Sequence, residues 1–292
     1  GILSGLGTGI TYNTLIAAMQ KYFPDKKGMA TGCILCMIGV SGFILSPVIN
    51  YLLNNYTVNF MFIAVAIVNL ATGYIGSIFI KNPPEGYMAD FDPNTLKVAS
   101  TSKHYATGEM IKTKNYYLIA VSMLCAVLGF MLINPQFVVL SEQRLITSAQ
   151  ALTAVMFASV FQAVGRLVIP SISDKTGRKI TLLIVFICSA AVIIALVMAK
   201  GLLYPILFVA LALFYGGFLG TYPALSTDYF GTKNAGINYA VVMIGFGLAS
   251  VLCPILVRAV RGTDMGTALS FAIAGGTAII GLILLLRLKK PD

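Results

Sequence analysis

Long apolar runs separated by short polar segments make up most of the chain. A helix that crosses the hydrocarbon core of a bilayer needs about 20 consecutive, mostly apolar residues. Nine runs of this kind can be marked, covering residues 1–20, 29–53, 58–80, 116–140, 149–172, 180–199, 202–227, 235–258 and 267–288. The pattern predicts an all-α polytopic membrane protein with nine spanning helices.

The composition supports this prediction and excludes several classes of function. Hydrophobic residues fill 58% of the 292 positions and charged residues 10%, whereas soluble domains carry about 25% charged residues. The net charge of +10 comes from short clusters between the apolar runs, which favours topology signals over nucleic-acid binding. The sequence has no phosphate-binding loop, no HExxH and no Ser-His-Asp grouping, so we expect neither an enzyme nor a bound cofactor or metal.

One polar segment, residues 81–114, is longer than the others and divides the chain. It contains Pro83-Pro84 and mixes five lysines with four acidic residues. We therefore expect a partial N-terminal bundle over residues 1–80, a central linker over 81–114 and a C-terminal bundle over 115–292. Because the chain starts at Gly1 and enters an apolar run at once, we also expect it to lack its N-terminal helices.

Lysine and arginine residues fall mainly on one side of the predicted membrane. If the runs cross it in alternation, fifteen of the twenty cations lie on one side and four on the other, and Arg166 is the remaining one. Because cytoplasmic loops carry the excess of positive charge, the linker and the C-terminus are predicted to be cytoplasmic. A multi-pass protein of the plasma membrane is expected.

Arg166 is the one cation well inside an apolar run, and no acidic residue lies at comparable depth. Such a charge usually lines a cavity and binds something negative, and a guanidinium grips a carboxylate through two parallel hydrogen bonds. Gln162 and Ser159 precede it at helical spacing and share its face. The alternative is snorkelling, since Arg166 lies eight residues before Asp174, about 12 Å along a helix.

An internal repeat predicts two related halves. The segment FPDKKG at residues 23–28 and the segment FGTKNA at residues 230–235 each precede an apolar run. Parallel repeats in transporters place the substrate site near the midplane between the halves, and with six helices in each half the nine runs would be helices 4–12 of twelve. At one offset the repeat pairs Phe23 with Phe230, Lys26 with Lys233 and Pro47 with Pro254.

The segment SDKTGRK at residues 173–179 resembles a loop motif of the major facilitator superfamily, G-x-x-x-D-K/R-x-G-R-K. Its aspartate, glycine and two basic residues match Asp174, Gly177, Arg178 and Lys179, whereas Pro170 stands where the motif has glycine. Glycine allows a tight turn there, and the carboxylate is suited to cap the next helix or pair across helices. The two basic residues are expected to be positive-inside anchors.

Three further segments resemble one branch of that superfamily, the oxalate/formate antiporters and the neighbouring monocarboxylate transporters. They are FPDKKGMATG, GRL around Arg166, and YFGTKNAG. The resemblance spans all nine runs and implies transport of small carboxylates by alternating access, with Arg166 as the carboxylate ligand of helix 8. Where oxalate transport uses a lysine of helix 11, Phe246 stands here, which favours a monoanion over a dianion.

The resemblance also implies further walls of the site. The family places aromatic residues on helices 4 and 10, where Tyr12, beside Asn13, and Tyr215 stand here. Interfacial anchoring or plain packing explains each tyrosine equally well. Together with Arg166 and Gln162, these residues form the predicted substrate site.

The predicted function is transport of a small monocarboxylate, such as formate, lactate or pyruvate, by a monomeric carrier. No acidic residue inside the apolar runs could carry a proton, so exchange or uniport is expected unless a proton site lies in missing helices. An oxalate exchanger, a sugar or drug carrier and a non-transporting receptor stay open as alternatives. Sugar and cationic-drug sites usually need amides and acids that the nine runs do not offer.

Overall fold

The computed structural model describes residues 2–84, 87, 103–261 and 266–289. These residues form α-helices, one short 3-10 helix at Glu142–Arg144 and no β-strand. The all-α prediction is therefore confirmed. Half of the predicted linker, including Glu85, Asp90 and Asp92, lies outside the described residues, so the division into three domains stays a prediction.

Eleven α-helices are found among the described residues. They are α1 Ile2–Tyr22, α2 Lys27–Asn55, α3 Val58–Phe79, α4 Thr107–Met110, α5 Lys114–Phe137, α6 Ser148–Thr176, α7 Arg178–Met198, α8 Leu203–Phe230, α9 Ala235–Val242, α10 Ile244–Arg261 and α11 Gly266–Leu286. Each predicted run coincides with one helix, except that the eighth is divided at Met243 into α9 and α10.

Seven helical stretches of the described chain are long and apolar enough to cross a membrane. They are α3, α5, α6, α7, α8, the combined α9 and α10, and α11. The apolar part of α2 found in the described residues, Lys27–Ser41, is shorter, and α1 contains several glycine and polar positions. The composition thus supports a protein that crosses the bilayer many times.

Helix ends are set by residues with clear local roles. The Thr113 hydroxyl accepts from the amide of Tyr116 at the start of α5, and Thr147 forms a reciprocal capping box with Gln150 at the start of α6, so both side chains satisfy amides that lack helical partners. Between α6 and α7 the backbone turns at Gly177 with φ +94°, as the loop motif predicted.

Helices α6 and α8 have the most extensive contact, and glycine makes it possible. A Cβ at Gly216 would overlap the carbonyl of Gln162, and one at Gly220 would lie 2.6 Å from the carbonyl of Arg166. Close approach through small residues is typical of membrane helix bundles. These glycines therefore serve helix packing, and the contact fixes the backbone on which Arg166 stands.

The first two helices join the others at one end of the bundle. There α2 packs along α6 and touches α8, while α1 contacts α2 and α9. The Thr227 hydroxyl of α8 donates to the side-chain oxygen of Gln20 in α1, and these residues are 207 positions apart, which is the offset of the repeat. Equivalent residues of two related halves meet at the axis between them, so this contact supports the predicted duplication.

Candidate anion-binding site

Arg166 lies half-buried inside α6, with its guanidinium held between two helices. Its Nη1 donates to the backbone carbonyl of Leu35 in α2 at 3.2 Å, and its Nη2 donates to the side-chain oxygen of Gln162 at 3.1 Å. Gln162 is one turn nearer the start of α6, so the guanidinium points away from Asp174. This direction does not fit snorkelling toward the Asp174 end of α6.

The third guanidinium nitrogen of Arg166 is buried and has no hydrogen-bond partner. Leaving such a donor unsatisfied is costly, and native structures rarely do so without a reason. The Nε–H and one Nη2–H of an arginine point the same way and form a fork that matches a carboxylate. Of the two nitrogens of this fork, Nε has no partner and Nη2 donates to the neutral Gln162 amide.

Two tyrosines lie near the arginine, and each packs against an aromatic ring of a further helix. Arg166 lies close enough to act electrostatically on Tyr12 in α1 and on Tyr215 in α8. Tyr12 stacks near Tyr239 of α9 with ring centroids 6.4 Å apart, and Tyr215 stacks on Phe130 of α5 at 4.5 Å. The structure thus brings together four of the five predicted site residues, namely Arg166, Gln162, Tyr12 and Tyr215.

Tyr239, Phe130 and Leu35 belong to this cluster but were not predicted. Tyr239 is buried, and no hydrogen bond of ordinary geometry satisfies its hydroxyl. The sequence carried a signal for it, because Tyr239 is the polar aromatic residue at the start of INYAVVMIGFGLAS, the stretch already matched to helix 11. Leu35 contributes only its backbone carbonyl, which no side-chain pattern could indicate.

Asn13, the fifth predicted residue, faces elsewhere. Its Nδ2 donates to the Gly9 carbonyl at 2.8 Å, and it lines a separate cavity of about 1210 Å³ between α1, residues 80–82 and the α9–α10 segment. No described contact joins it to Arg166. Ser159 is also apart, since it is exposed and its hydroxyl donates back to the Val155 carbonyl.

The segment matched to helix 11 supplies no second cation near Arg166, because Phe246 stands where oxalate transport uses a lysine. Phe246 is half-buried near the start of α10 and packs against the hydrophobic core, and residues 235–257 contain no lysine or arginine. In the described part of these two helices the first cation is Arg258, an exposed residue near the end of α10. Among the described spanning helices, Arg166 is thus the cation that lies well inside its helix rather than in a first or last turn.

Buried ion pairs close one end of the bundle, where α1, α6 and α8 finish and α2, α7 and α9 begin. Asp228 of α8 accepts from Lys27 at 3.0 Å and from the Nε of Arg178 at 3.1 Å. All three side chains are almost fully buried. We call this region, together with Asp174 and the Gln20 contact, the closed end. Paired charges of this kind are costly to separate, because each would be left buried without a partner.

Asp174 ties the end of α6 to the start of α2. One carboxylate oxygen accepts from the Gly28 amide at 3.0 Å and the other from the Met29 amide at 2.8 Å, so the carboxylate caps the amides that begin α2. It also pairs with Arg178. Asp174 was predicted to cap the next helix, α7, or to pair across helices. It caps α2 instead of α7.

One expectation about this region was wrong. Arg178 is not a surface anchor, because Asp174, Asp228 and the Ser173 hydroxyl draw it inward until it is 5% exposed. Buried carboxylates do occur within the helices, since α8 continues to Phe230 and encloses Asp228 in its last turn. The apolar run ended before that residue and left it in a loop.

Lys179 has a different partner from its neighbour. Its Nζ donates to the carbonyls of Leu286 at 3.1 Å and Leu288 at 2.7 Å. These carbonyls end α11 and lack helical donors, so the ammonium caps that helix and complements its dipole. Lys179 therefore stabilises a helix end near the membrane boundary.

The described chain combines repeated apolar helices, two groups of helices that meet around a half-buried arginine, and an ion-paired end. These features define a multi-pass membrane protein of the transporter class. The chain belongs to the Major Facilitator Superfamily, whose sequence profile matches residues 119–292, more than half of its length. Proteins of this family are transporters rather than enzymes.

Similar curated proteins include transporters of small carboxylates. The oxalate:formate antiporter of Oxalobacter formigenes is 24% identical over 285 residues, which cover 97% of this chain and 66% of that protein. An uncharacterised transporter of Escherichia coli, YhjX, is 24% identical over 86% of this chain and 62% of its own length. Monocarboxylate transporter 12 of Xenopus laevis is 24% identical over 98% and 66% respectively. The chain thus spans less than two thirds of the length of these relatives.

Proposed function

We propose that the protein moves a small monocarboxylate across the membrane by alternating access, with Arg166 as the carboxylate ligand. The observation that carries this proposal is the buried, unpaired Nε of a guanidinium that lies between two groups of helices. A carboxylate that displaced the Gln162 amide would receive Nε–H and Nη2–H together, as a bidentate pair. Nη1 would keep its bond to Leu35, so the arginine would stay in place.

The surroundings favour an anion with one charge. Tyr239 lies beside Tyr12, and a tyrosine hydroxyl can donate to a carboxylate oxygen. The aromatic rings of Tyr12, Tyr215 and Phe130 offer apolar contact to a short carbon chain. Because the buried cations Lys27 and Arg178 are already paired with Asp228 at the closed end, Arg166 is the cation left for the substrate, so a monoanion is neutralised there and a dianion keeps an uncompensated charge.

The close contacts between α2 and α6 lie toward the closed end. Glycine contacts between them run from Gly28 at the closed end to Gly39 beside Ala163. Farther along, Ile44 of α2 is 61% exposed and Phe157 of α6 is 55% exposed. We assign the closed end to the cytoplasm because the lysine-rich helix ends gather there. We further propose that the other end opens to the outside and that the substrate enters from there.

The relatives agree with this substrate class, since two of them are named for formate, oxalate or monocarboxylates. We further propose that the protein resides in the plasma membrane and works by exchange or uniport. The carboxylates of the described spanning helices, Asp174 and Asp228, are both held in ion pairs at the closed end, away from Arg166. A proton carrier at the substrate is therefore not part of the proposal.

Counterflow in proteoliposomes with the full-length protein tests the substrate class. Vesicles loaded with unlabelled formate, lactate, pyruvate or oxalate are diluted into the labelled compound, and its entry is followed. We expect counterflow with at least one monocarboxylate and none with oxalate. Exchange of oxalate at a comparable rate would contradict the single-cation argument, and flux of a neutral sugar with none of the anions would contradict the carboxylate assignment.

A further inference from the structure

The backbone carbonyl of Arg166 lacks its ordinary helical donor. That donor would be the amide of residue 170, four positions later in α6, but Pro170 has no N–H. Within the described residues, no side chain donates to this carbonyl either. Pro170 is buried and stands inside the helix, so water at the protein surface is not a ready substitute. The carbonyl of the proposed anion ligand is thus released from the helical hydrogen-bond ladder.

Two glycines from different helices face this one carbonyl. A Cβ at Gly32 of α2 would lie 2.6 Å from the Arg166 oxygen, and a Cβ at Gly220 of α8 would lie 2.6 Å from the same oxygen. A methyl group does not fit at either distance. The glycine Cα–H groups can approach a carbonyl closely and make weak favourable contacts with it. The released carbonyl is therefore seated between α2 and α8.

Pro170 and Gly220 also touch directly. A Cβ at Gly220 would overlap the Cγ of the Pro170 ring, and it would lie 3.2 Å from the Arg166 Cα. On the other side, a Cβ at Gly28 would overlap the Pro170 carbonyl. The proline ring and its neighbouring glycines thus set how far the α6 backbone at Arg166 can move toward α8 or toward α2.

We propose that Pro170, Gly32 and Gly220 form a backbone seat for Arg166 and act as positioning residues for the anion site. This inference rests on the proposed role of Arg166 as the carboxylate ligand. The guanidinium stands on a backbone whose position the seat determines, and displacement of a ligand group by about 1 Å can lower its effectiveness roughly a hundredfold. The seat therefore sets anion affinity without touching the anion.

The test measures KM and maximal rate of monocarboxylate counterflow for Gly220→Ala in the full-length protein. The added methyl pushes the α6 backbone away, so KM is expected to rise about tenfold or more, while the detergent-purified protein stays monodisperse. Gly276→Ala is the matched control, because its Cβ meets nothing within 4 Å. An unchanged KM for Gly220→Ala would overturn the proposal.

A second variant separates positioning from general damage. Pro170→Ala removes the ring that the methyl meets and restores an amide that can draw the Arg166 carbonyl back into the helix. The double variant Gly220→Ala/Pro170→Ala is therefore expected to have a lower KM than Gly220→Ala alone. If the seat does not position Arg166, two packing defects should add, and a higher KM for the double variant would refute the inference.

Gly32→Ala places a methyl group against the same Arg166 carbonyl from the α2 side. It replaces Gly220→Ala in this test if Gly220→Ala does not fold. It is expected to raise KM and to be partly rescued by Pro170→Ala, and failure of both effects would refute the seat. Arg166→Ala is measured in parallel. Normal transport by Arg166→Ala contradicts the proposed function, whereas loss of transport there with wild-type behaviour of the seat variants contradicts only the seat.

Discussion

At the scale of single residues, the candidate site is one guanidinium held by the Gln162 amide and by the Leu35 carbonyl, with its Nε left unpaired. Arg166 and Gln162 could be predicted because a lone charge in an apolar run is costly and helical spacing places the amide beside it. The bond to the Leu35 carbonyl could not be predicted, since it involves a backbone atom of another helix. Asn13 was predicted because it is adjacent to Tyr12 in the sequence. Neighbouring residues of a helix project about 100° apart, so the two side chains face different directions.

The Tyr239 hydroxyl is expected to contribute a hydrogen bond to the anion. Tyr239→Phe removes that donor and keeps the ring, so KM for the transported monocarboxylate should rise about tenfold, as for the loss of one hydrogen bond to a charged group. Tyr204→Phe is the control, because its hydroxyl is also buried and unpaired but lies beside Arg144, at the start of α8. Equal effects of the two substitutions would argue against a role for Tyr239.

Replacing Gln162 with glutamate should make transport depend on pH. A carboxylate at this position would occupy the Arg166 fork from one turn away and compete with the substrate. At neutral pH we expect KM to rise at least about tenfold, and acidification through the range where the carboxyl takes up a proton should restore affinity. Gln162→Ala is the control and should show no such recovery. A pH-independent Gln162→Glu would contradict the fork geometry.

At the scale of helices, apolar runs located every spanning element but not every helix end. The runs stop at the first polar residue, whereas helices continue wherever neighbours satisfy polar side chains. Asp228 shows the difference, because its ion pairs with Lys27 and Arg178 let α8 extend to Phe230. The break between α9 and α10 could not be predicted, because the residue at the break is Met243 and not a proline or glycine.

The cap that Asp174 makes on α2 should be measurable as local stability. Asp174→Ala removes the acceptor of the Gly28 and Met29 amides, which we expect to cost about 1 kcal/mol of local stability. Hydrogen exchange followed by mass spectrometry should show faster exchange in the peptide that begins α2. The peptide that begins α5, capped by Thr113, is the internal control, and unchanged exchange at α2 would contradict the cap.

At the scale of the whole molecule, the internal sequence repeat agrees with the way the first helices contact the later ones. Its offset brought Gln20 and Thr227 to equivalent positions, and these two residues form a hydrogen bond across the closed end. The ion pairs that surround them could not be predicted, because their partners are up to 201 residues apart in the chain and look like ordinary loop charges in the sequence.

Holding the closed end shut should stop alternating access. In a background without the five cysteines, Gln20→Cys/Thr227→Cys is treated with a short, cleavable thiol cross-linker that joins α1 to α8. We expect exchange to stop on cross-linking and to return when the linker is cleaved, since the closed end must open in every cycle. Each single-cysteine variant, treated in the same way, is the control. Undiminished exchange in the cross-linked protein would contradict the assignment of a gate to this end.

The most direct test of the account is monocarboxylate counterflow by Arg166→Ala in the full-length protein. Arg258→Ala, which removes an exposed cation near the end of α10, is the matched control and should transport like the wild type. The account predicts that Arg166→Ala inserts into the membrane normally and loses counterflow, because the charged donor of the carboxylate is gone. Normal counterflow by Arg166→Ala would contradict the central claim that this arginine binds the transported anion.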